Sequence, residues 1–402
     1  MLNSHTYYSL RYGTLSPEQL VIEAKAVGMD TIVLTDINNT SCSFDFVSQC
    51  KKHDVKPILG IEFRKEHQLL YVAIAKNNQG FNELCAFLTE HSLEEKPLPN
   101  IAPAFKNAYI IYRSLPKPIE EFSNTEYFGI RPEEVNALFT SGLKAHQDRL
   151  VIFSPITFKD SDGYRCHQLL RCIDLNIVLS KLDKKSIAKK SEVFYPLEHL
   201  EKHFEQYPKL IQNTKDILEY CCIDMEYALT HNRQTFTGSK SGDFKLLSKL
   251  AYNGCNRRYG HDNTKALERT KKELKVIHQL GFSAYFLITW DIIRYAQTAG
   301  YYHVGRGSGA NSIVAYCLHI TDVDPLELDL YFERFINPHR TSPPDFDIDF
   351  SWDERDDVTD YVFKRYGKEH TALLATYSTF KGKSIIRELG KVFGLPKADI
   401  DL

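Results

Sequence analysis

The chain has 402 residues, of which 43% are hydrophobic and 25% are charged, enough apolar content for two or more globular domains. Its formal net charge of −2 is not the signature of a general nucleic-acid binder, although local basic faces can still bind phosphate. The nine cysteines form no C-x-x-C pair, the N-terminus is polar and the apolar runs are short, so we expect a cytoplasmic protein with reduced thiols, no secretion signal and no membrane span.

Residues 1 to about 228 alternate short β-branched runs with amphipathic stretches. This pattern is typical of repeated βα units around a parallel sheet or barrel. A first helix is marked by Ser16 at the N-cap, Pro17 at N1 and Gln19 at N3, and Gly28 ends it. The predicted strands lie at residues 31–34, 56–59, 70–74, 108–111 and 150–153.

Residues 2–9, 28–36 and 56–63 resemble the polymerase-and-histidinol-phosphatase (PHP) domain, a barrel of seven βα units. The resemblance implies a metal site made of histidines and carboxylates. This chain keeps His5, Asp36 and Glu62 of that set, with His167 as a further candidate. Positions where the resemblance implies other ligands are occupied by Asn3, Tyr12, Ile37, Leu70 and Pro155-Ile156-Thr157.

Too few donors therefore remain at this barrel site, because zinc and transition-metal sites need about three or four well-placed ligands. We predict a degenerate PHP barrel without bound metals, in which His5 and His167 are structural or surface residues. By the same resemblance, such a barrel would brace the following domain and offer a docking surface for a separate proofreading exonuclease.

A polar, turn-rich stretch without apolar periodicity follows the barrel. We predict a linker at residues 229–242, so that the barrel domain covers residues 1–228. The apolar residues Leu246, Leu247, Leu250 and Ala251 then predict a helix with one buried face.

Residues 305–310 form a glycine-serine loop, and residues 311–318 after it have the pattern of a helix. Backbone N–H groups of the loop would then lie at a helix N-terminus, where unpaired donors and the helix dipole favour an anion. The loop lacks the Gly-Lys-Ser/Thr ending of a P-loop, and a glycine-rich turn before a helix is more often a simple tight connection.

In residues 344–350, aspartates alternate with bulky apolar residues. On a strand, this alternation places Asp345, Asp347 and Asp349 on one face. Carboxylates two residues apart on a rigid strand suit Mg²⁺ that bridges to substrate phosphates. An isolated Asp-x-Asp pattern is more often a solvated strand face, so the motif needs support from its surroundings.

That support comes from a resemblance to the palm domain of bacterial C-family replicative DNA polymerases. It implies that Gly307 and Ser308, with Arg306 beside them, bind the phosphates of an incoming nucleotide. Asp347 and Asp349 fall where that family binds metal, whereas Asp345 is expected to be an exposed or capping carboxylate. The resemblance is carried by residues 280–296, 304–310, 320–326, 332–338, 344–350 and 383–390.

The same resemblance implies a Mg²⁺-dependent polymerase acting in DNA replication, with two ions at the palm and with primer-template DNA and dNTPs as substrates. A sliding clamp, a clamp loader and an exonuclease would bind the full-length protein. The family uses a third palm aspartate beyond a thumb insertion, and residue 402 precedes any such position. We therefore expect residues 243–375 to be the first part of a palm and residues 376–402 the start of a thumb, inactive by themselves.

The last predicted helix covers residues 380–393. Its apolar residues form one stripe, while Lys383, Arg387 and Lys391 stand four apart on a different face. Such a row of cations suits contact with a sugar-phosphate backbone, and equally suits a solubilising helix surface.

The expected fold class is α/β: an N-terminal PHP-type (βα)7 barrel, then an incomplete α+β nucleotidyltransferase palm and the start of a helical thumb. Two other functions stay open, a PHP-type metallophosphoesterase and a catalytically silent scaffold. Asn311 replaces a second glycine of the polymerase loop, and as a good helix cap it should preserve the helix start.

Overall fold

The computed structural model describes residues 1–225, 232–337 and 344–401. By its internal contacts the chain divides into a first unit, Met1–Tyr227 with Ser378–Leu402, and a second unit, Ala228–Tyr377. Three parts of the sequence predictions lie outside the described residues: residues 229–231 of the predicted linker, Pro338 of the polymerase-like segment and Leu402.

The first unit is built on a curled six-stranded sheet whose strands are ordered as they occur in the chain. Strands β1 and β2 are parallel, as are β4 with β5 and β5 with β6, but β3 runs antiparallel to both of its neighbours. The uniform βα alternation expected from the sequence is therefore interrupted here, because only two residues separate β2 from β3, too few for a crossover helix. The strands are β1 Thr31–Leu34, β2 Lys56–Lys65, β3 Gln68–Ala75, β4 Ala108–Tyr112, β5 Glu126–Ile130 and β6 Leu150–Ile152.

The N-terminal segment lies between the two ends of this sheet. Ser4 forms a parallel bridge with Ile156 just after β6, and its carbonyl accepts a hydrogen bond from the Thr35 N–H just after β1. Residues 3–5 therefore link the ends of β1 and β6 and close the curled sheet. The five predicted strands are confirmed, and β5 was missed by the sequence analysis.

Both faces of the sheet are buried, which explains why its strands are almost continuously apolar. Ile32 and Leu59 belong to the larger core, whereas Val33, Ile58 and Val72 belong to a smaller core on the opposite face. The helices of this part are α1 Pro17–Ala26, α2 Ser43–Lys52, α3 Asn78–Leu93, α4 Val135–Leu138, α5 Ser161–Leu175, α6 Leu197–His203 and α7 Pro208–Tyr220.

Helix α1 begins as predicted. The Ser16 hydroxyl accepts from the Gln19 N–H and the Gln19 side chain accepts from the Ser16 N–H, so a complete capping box is present. The chain leaves the helix through Gly28, whose φ of +83° favours glycine.

The second unit is mainly helical, with a two-stranded antiparallel sheet. Residues 240–242, predicted as linker, instead form the first turn of α8, because the Ser239 hydroxyl caps that turn. The predicted buried face of α8 is confirmed at Leu247 and Ala251. The elements are α8 Lys240–Tyr259, α9 Thr264–Gln279, α10 Ser283–Thr298, β7 His303–Arg306, α11 Ile313–Cys317, β8 Asp347–Phe350 and α12 Arg355–Tyr366.

A buried aspartate joins α10 to α12, the helix that follows β8. Asp291 accepts hydrogen bonds from the hydroxyls of Tyr361 and Tyr366 at 2.8 and 2.9 Å, and from Arg365 and Arg294 at 3.2 and 2.8 Å. Burial opposes ionisation of this carboxyl, but these donors outweigh it and hold the pKa of Asp291 below its ordinary value.

The C-terminal part of the first unit contains α13 Lys383–Val392 and α14 Lys397–Ile400. The helix predicted over residues 380–393 starts three residues later, after Gly382 with its φ of +44°. Helix α13 packs on α5, with Val392 buried, and Gly390 lies against Ile400 of α14, while Ile385 and Ile386 of the predicted apolar stripe are exposed.

The expected fold class, a PHP-type α/β unit followed by a helical region, is confirmed. All nine cysteines are free thiols, as expected. Within the described residues, no single helix is both long and apolar enough to cross a membrane, and α9 with α10 reaches that length and composition only as a pair bent by 114°.

Candidate active site

The glycine loop leaves β7 and packs directly on the aspartate segment. Gly307 has a φ of +73°, and a Cβ atom there would lie 2.7 Å from Oδ2 of Asp347. A Cβ atom on Gly309 would likewise lie 2.7 Å from the Phe346 ring. The φ of Gly307 favours glycine, and a Cβ atom at either position would have to displace a side chain of the aspartate segment, so the loop lies closely against that segment.

Strand pairing sets the register between them. In the antiparallel pair, Arg306 is opposite Asp347 and Val304 is opposite Asp349. The predicted alternation is confirmed, since Asp347 and Asp349 are exposed while Phe346 stacks on Tyr285 with ring centroids 5.2 Å apart. The strand begins at Asp347, so the exposed Asp345 lies just before it.

Arg306 contacts both exposed aspartates. Its Nε donates to Oδ2 of Asp349 at 2.6 Å, and its Nη1 lies 3.7 Å from Oδ2 of Asp347. Hydrogen bonding to Asp349, and the charges of Asp349 and Asp347, raise the pKa of Arg306. The structure thus brings Arg306, Gly307 and the two aspartates together, with the exposed Ser308 next along the loop.

The donor set of this site fits Mg²⁺ shared with a substrate. Among the described residues no group of three or more His, Cys, Asp or Glu side chains could hold a metal ion. Asp347 and Asp349 supply two hard oxygen ligands with about half of each side chain exposed, 48% and 54%. Mg²⁺ is commonly held by one or two carboxylates with water and substrate phosphates completing its shell, so two carboxylates beside an anion-compatible loop fit it.

A buried glutamate, which the sequence analysis missed, anchors the end of the loop. The carboxylate of Glu273 on α9 accepts from the Ser312 hydroxyl at 2.8 Å and from Arg269 at 3.1 Å. Arg269 in turn donates to the Asn311 carbonyl at 2.9 Å. Burial raises the pKa of Glu273 to about 6.

The predicted helix start at Asn311 is wrong. A 3-10 turn covers Gly307–Asn311, and α11 begins only at Ile313. Ser312 caps α11 by accepting from the Ala315 N–H at 3.1 Å, while the Asn311 amide donates back to the Ser308 carbonyl at 2.8 Å. The loop therefore ends in a tight turn rather than running directly into a helix.

In the first unit, the candidate PHP residues are buried, and His5 and Glu62 are hydrogen-bonded to each other. Nε2 of His5 lies 3.1 Å from Glu62 and Nδ1 lies 3.0 Å from the Thr157 hydroxyl. Glu62 also accepts from the Asn3 amide at 2.5 Å. Asp36 is bound separately, by the hydroxyls of Thr6 and Ser9 and the Thr6 N–H, and burial raises its pKa.

An arginine supplies positive charge at this cluster. Arg64 donates to Glu62 and, at 3.1 Å, to the Tyr12 hydroxyl, and its guanidinium lies 4.4 Å from the Tyr12 ring centre. Burial opposes the charge on Glu62, but Arg64 and His5 outweigh it and hold the pKa of Glu62 below its ordinary value. Tyr12, where the PHP resemblance implies a ligand, is thus part of the arginine's contacts.

His167 is held as a neutral ring by two backbone partners. Its Nδ1 donates to the Tyr12 carbonyl at 2.7 Å, and its Nε2 accepts from the Ala188 N–H at 2.9 Å. Burial lowers its pKa to about 4.

This arrangement predicts an acid-sensitive first unit. The neutral His167 ring contributes about 3 kcal/mol to the free energy of unfolding above the pKa of an unfolded histidine, near 6.5. This contribution is lost as the pH falls towards 4. His167→Gln, which can donate and accept without titrating, should flatten that part of the pH profile. Urea unfolding at pH 7.5, 6 and 5 checks this, and identical profiles for both proteins would contradict it.

The three cations predicted on the last helix are all exposed on α13. Lys391 pairs with Glu388 at 2.7 Å, whereas Lys383 and Arg387 lie one turn apart towards the start of the helix.

Two known families match separate parts of the chain. Residues 2–130 match the PHP domain, and residues 245–402 match the family described as bacterial DNA polymerase III alpha NTPase domain. The second match contains the glycine loop, both aspartates and α13.

Curated relatives match over nearly the whole chain. An error-prone DNA polymerase of Symbiobacterium thermophilum is 30% identical over all of this chain and 41% of its own length. The DNA polymerase III alpha subunits of Bacillus subtilis and Halalkalibacterium halodurans are 29% and 30% identical, over 100% and 98% of this chain and 39% and 38% of their own lengths. The chain thus spans about two fifths of the length of these relatives. The two family matches and these relatives support the chain as an N-terminal portion of a C-family DNA polymerase.

Proposed function

We propose that the second unit supplies part of the active site for Mg²⁺-dependent, template-directed DNA synthesis by a complete polymerase that contains this chain. The observation that supports this most is the β7–β8 register, which sets the glycine loop beside two exposed carboxylates. In addition, Gly307 lies beside Asp347 with a φ of +73°, which favours glycine.

In the proposed reaction, the 3′-oxygen of the primer attacks the α-phosphorus of a dNTP in line, and the bond to the departing pyrophosphate breaks. Bound Mg²⁺ would lower the pKa of the 3′-hydroxyl and neutralise charge on the phosphates. Asp347 and Asp349 would hold the metal, and Gly307 and Ser308 would let phosphate oxygens approach the backbone. Glu273, through Ser312, keeps the loop in place for that approach.

The remaining assignments follow from this role. We propose residues 243–375 as the first part of the palm, residues 376–402 as the start of the thumb and residues 1–228 as the barrel domain, with the linker ending at residue 239 because residues 240–242 belong to α8. Lys383, Arg387 and Lys391 would contact the DNA backbone. A sliding clamp, a clamp loader and an exonuclease would bind the complete protein, which would act in the cytoplasm.

For the PHP barrel we propose that it structurally supports the following domain and binds no metals. Arg64 supports this, because its cation already compensates Glu62 within the cluster where the resemblance implies metal ligands.

Metal binding to the 402-residue chain tests the palm assignment. We expect Asp349→Asn to weaken Mn²⁺ binding, followed by electron paramagnetic resonance, by about tenfold or more, since one of two protein ligands is lost. Asp345→Asn is the matched control, with the same charge removed two residues before the strand begins. Equal affinity for Asp349→Asn and wild type would contradict the assignment.

A further inference from the structure

The guanidinium of Arg306 occupies the space between the two candidate metal ligands. It lies 2.6 Å from Asp349 and 3.7 Å from Asp347. The register places Arg306 on the strand directly opposite Asp347, so backbone pairing keeps the base of its side chain beside the aspartates.

The other ion pairs of the second unit leave Asp347 and Asp349 to Arg306. Within the described residues, the ion pairs of Asp347 and Asp349 are both with Arg306. The remaining pairs of this unit involve other carboxylates: Arg258 and His319 with Asp322, Arg269 with Glu273, Lys272 with Glu333, Arg294 and Arg365 with Asp291, Arg355 with Asp356, and Lys364 with Asp360.

We infer that Arg306 is an internal counter-ion that competes with divalent metal for Asp347 and Asp349. This rests on the proposed function, and it adds a regulatory step to the same site. Both contacts of Arg306 reach an Oδ2 atom, and its positive charge opposes the approach of a divalent cation to these oxygens. A metal therefore gains full access to them when the Arg306 side chain leaves the aspartates.

The side chain is free to make that movement. It is 60% exposed, and its place in the sheet depends on backbone pairing that remains when the side chain turns away. The next residue is Gly307, so a released guanidinium would lie at the entrance of the glycine loop. Its planar fork of donors suits phosphate oxygens, which are the groups that a metal-bound nucleotide would bring.

The exchange predicts opposite effects of one substitution on two ligands. Arg306→Ala should bind Mn²⁺ about threefold to tenfold more tightly than wild type, the range expected for losing an exposed ion-pair competitor. The same variant should bind a dNTP in the presence of Mn²⁺ more weakly, because the phosphate partner is gone. Both affinities are measured on the 402-residue chain by electron paramagnetic resonance and calorimetry at one ionic strength.

Arg355→Ala is the matched control. It removes the same charge from an exposed ion pair in the same unit, at the first residue of α12. An unchanged Mn²⁺ affinity in this variant supports specific competition between Arg306 and the metal for the two aspartates. An equal gain in both variants, or no gain in a folded Arg306→Ala protein, overturns the inference.

The aspartate variants separate this inference from the proposed function. If Asp349→Asn weakens Mn²⁺ binding but Arg306→Ala does not strengthen it, only the counter-ion role fails. If Mn²⁺ binding is indifferent to Asp347, Asp349 and Arg306 alike, the metal site itself fails and the counter-ion role fails with it.

Discussion

Asp347→Ala is expected to lower the rate of nucleotide addition by the complete polymerase by at least about a thousandfold, equivalent to about 4 kcal/mol in the transition state. Asp347 is one of the two proposed metal ligands. Its Oδ2 atom lies 3.7 Å from Nη1 of Arg306 and would lie 2.7 Å from a Cβ atom on Gly307. Without its carboxylate, the charge that develops on the phosphates would lose a fixed metal partner. Single-turnover primer extension at saturating dNTP measures the effect.

Asp345→Ala is the control for this experiment. Asp345 lies two residues before Asp347, ahead of the first residue of β8. Its loss should therefore change the rate by less than about threefold. Primer-template affinity should be retained in both variants. Comparable activity of Asp347→Ala and wild type would remove the palm assignment.

Asp291→Ala is expected to destabilise the second unit by about 2–3 kcal/mol, because buried donors lose their acceptor. The side chain of Asp291 is fully buried, and two tyrosines and two arginines donate to it. Its loss would leave the buried Tyr366 hydroxyl without its acceptor and would remove the shared carboxylate that joins α12 to α10. Chemical denaturation monitored by tyrosine and tryptophan fluorescence measures the change.

Asp360→Ala provides the comparison on α12. Asp360 makes an exposed pair with Lys364, so its removal should cost less than about 1 kcal/mol. Equal destabilisation by the two substitutions would show that burial of Asp291 is not what stabilises this helix pair.

Local patterns in the sequence were sufficient for several elements. The Ser16–Gln19 capping box depends on residues three apart, and the alternation at residues 345–350 depends on the period of a strand. Five strands could be predicted because their apolar runs are buried on both faces. β5 was missed because its sequence, Glu126–Ile130, begins with a glutamate and contains a glycine.

The decisive contacts of the candidate site join residues far apart in the chain. Arg306 meets Asp349 across 43 positions, and Glu273 meets Ser312 across 39. A signal for Glu273 exists in retrospect, since it falls on the same helical face as the buried Thr270 and Ile277. Nothing local distinguishes Ser312 from Asn311 as the cap of α11, because the choice depends on that glutamate.

The barrel shows the same division between local and long-range information. Missing ligand types could be read from single positions such as Tyr12 and Ile37. That Arg64 would contact both Glu62 and Tyr12 could not, because that contact depends on how the sheet curls.

The most direct test of the account is an anomalous diffraction map of the complete polymerase crystallised with primer-template DNA, Mn²⁺ and a non-hydrolysable dNTP. We predict a manganese peak bonded to carboxylate oxygens of Asp347 and Asp349, with the triphosphate against Gly307 and Ser308 and the Arg306 guanidinium turned away from the aspartates. A nucleotide and its metal bound at a site that includes neither aspartate would contradict the central claim.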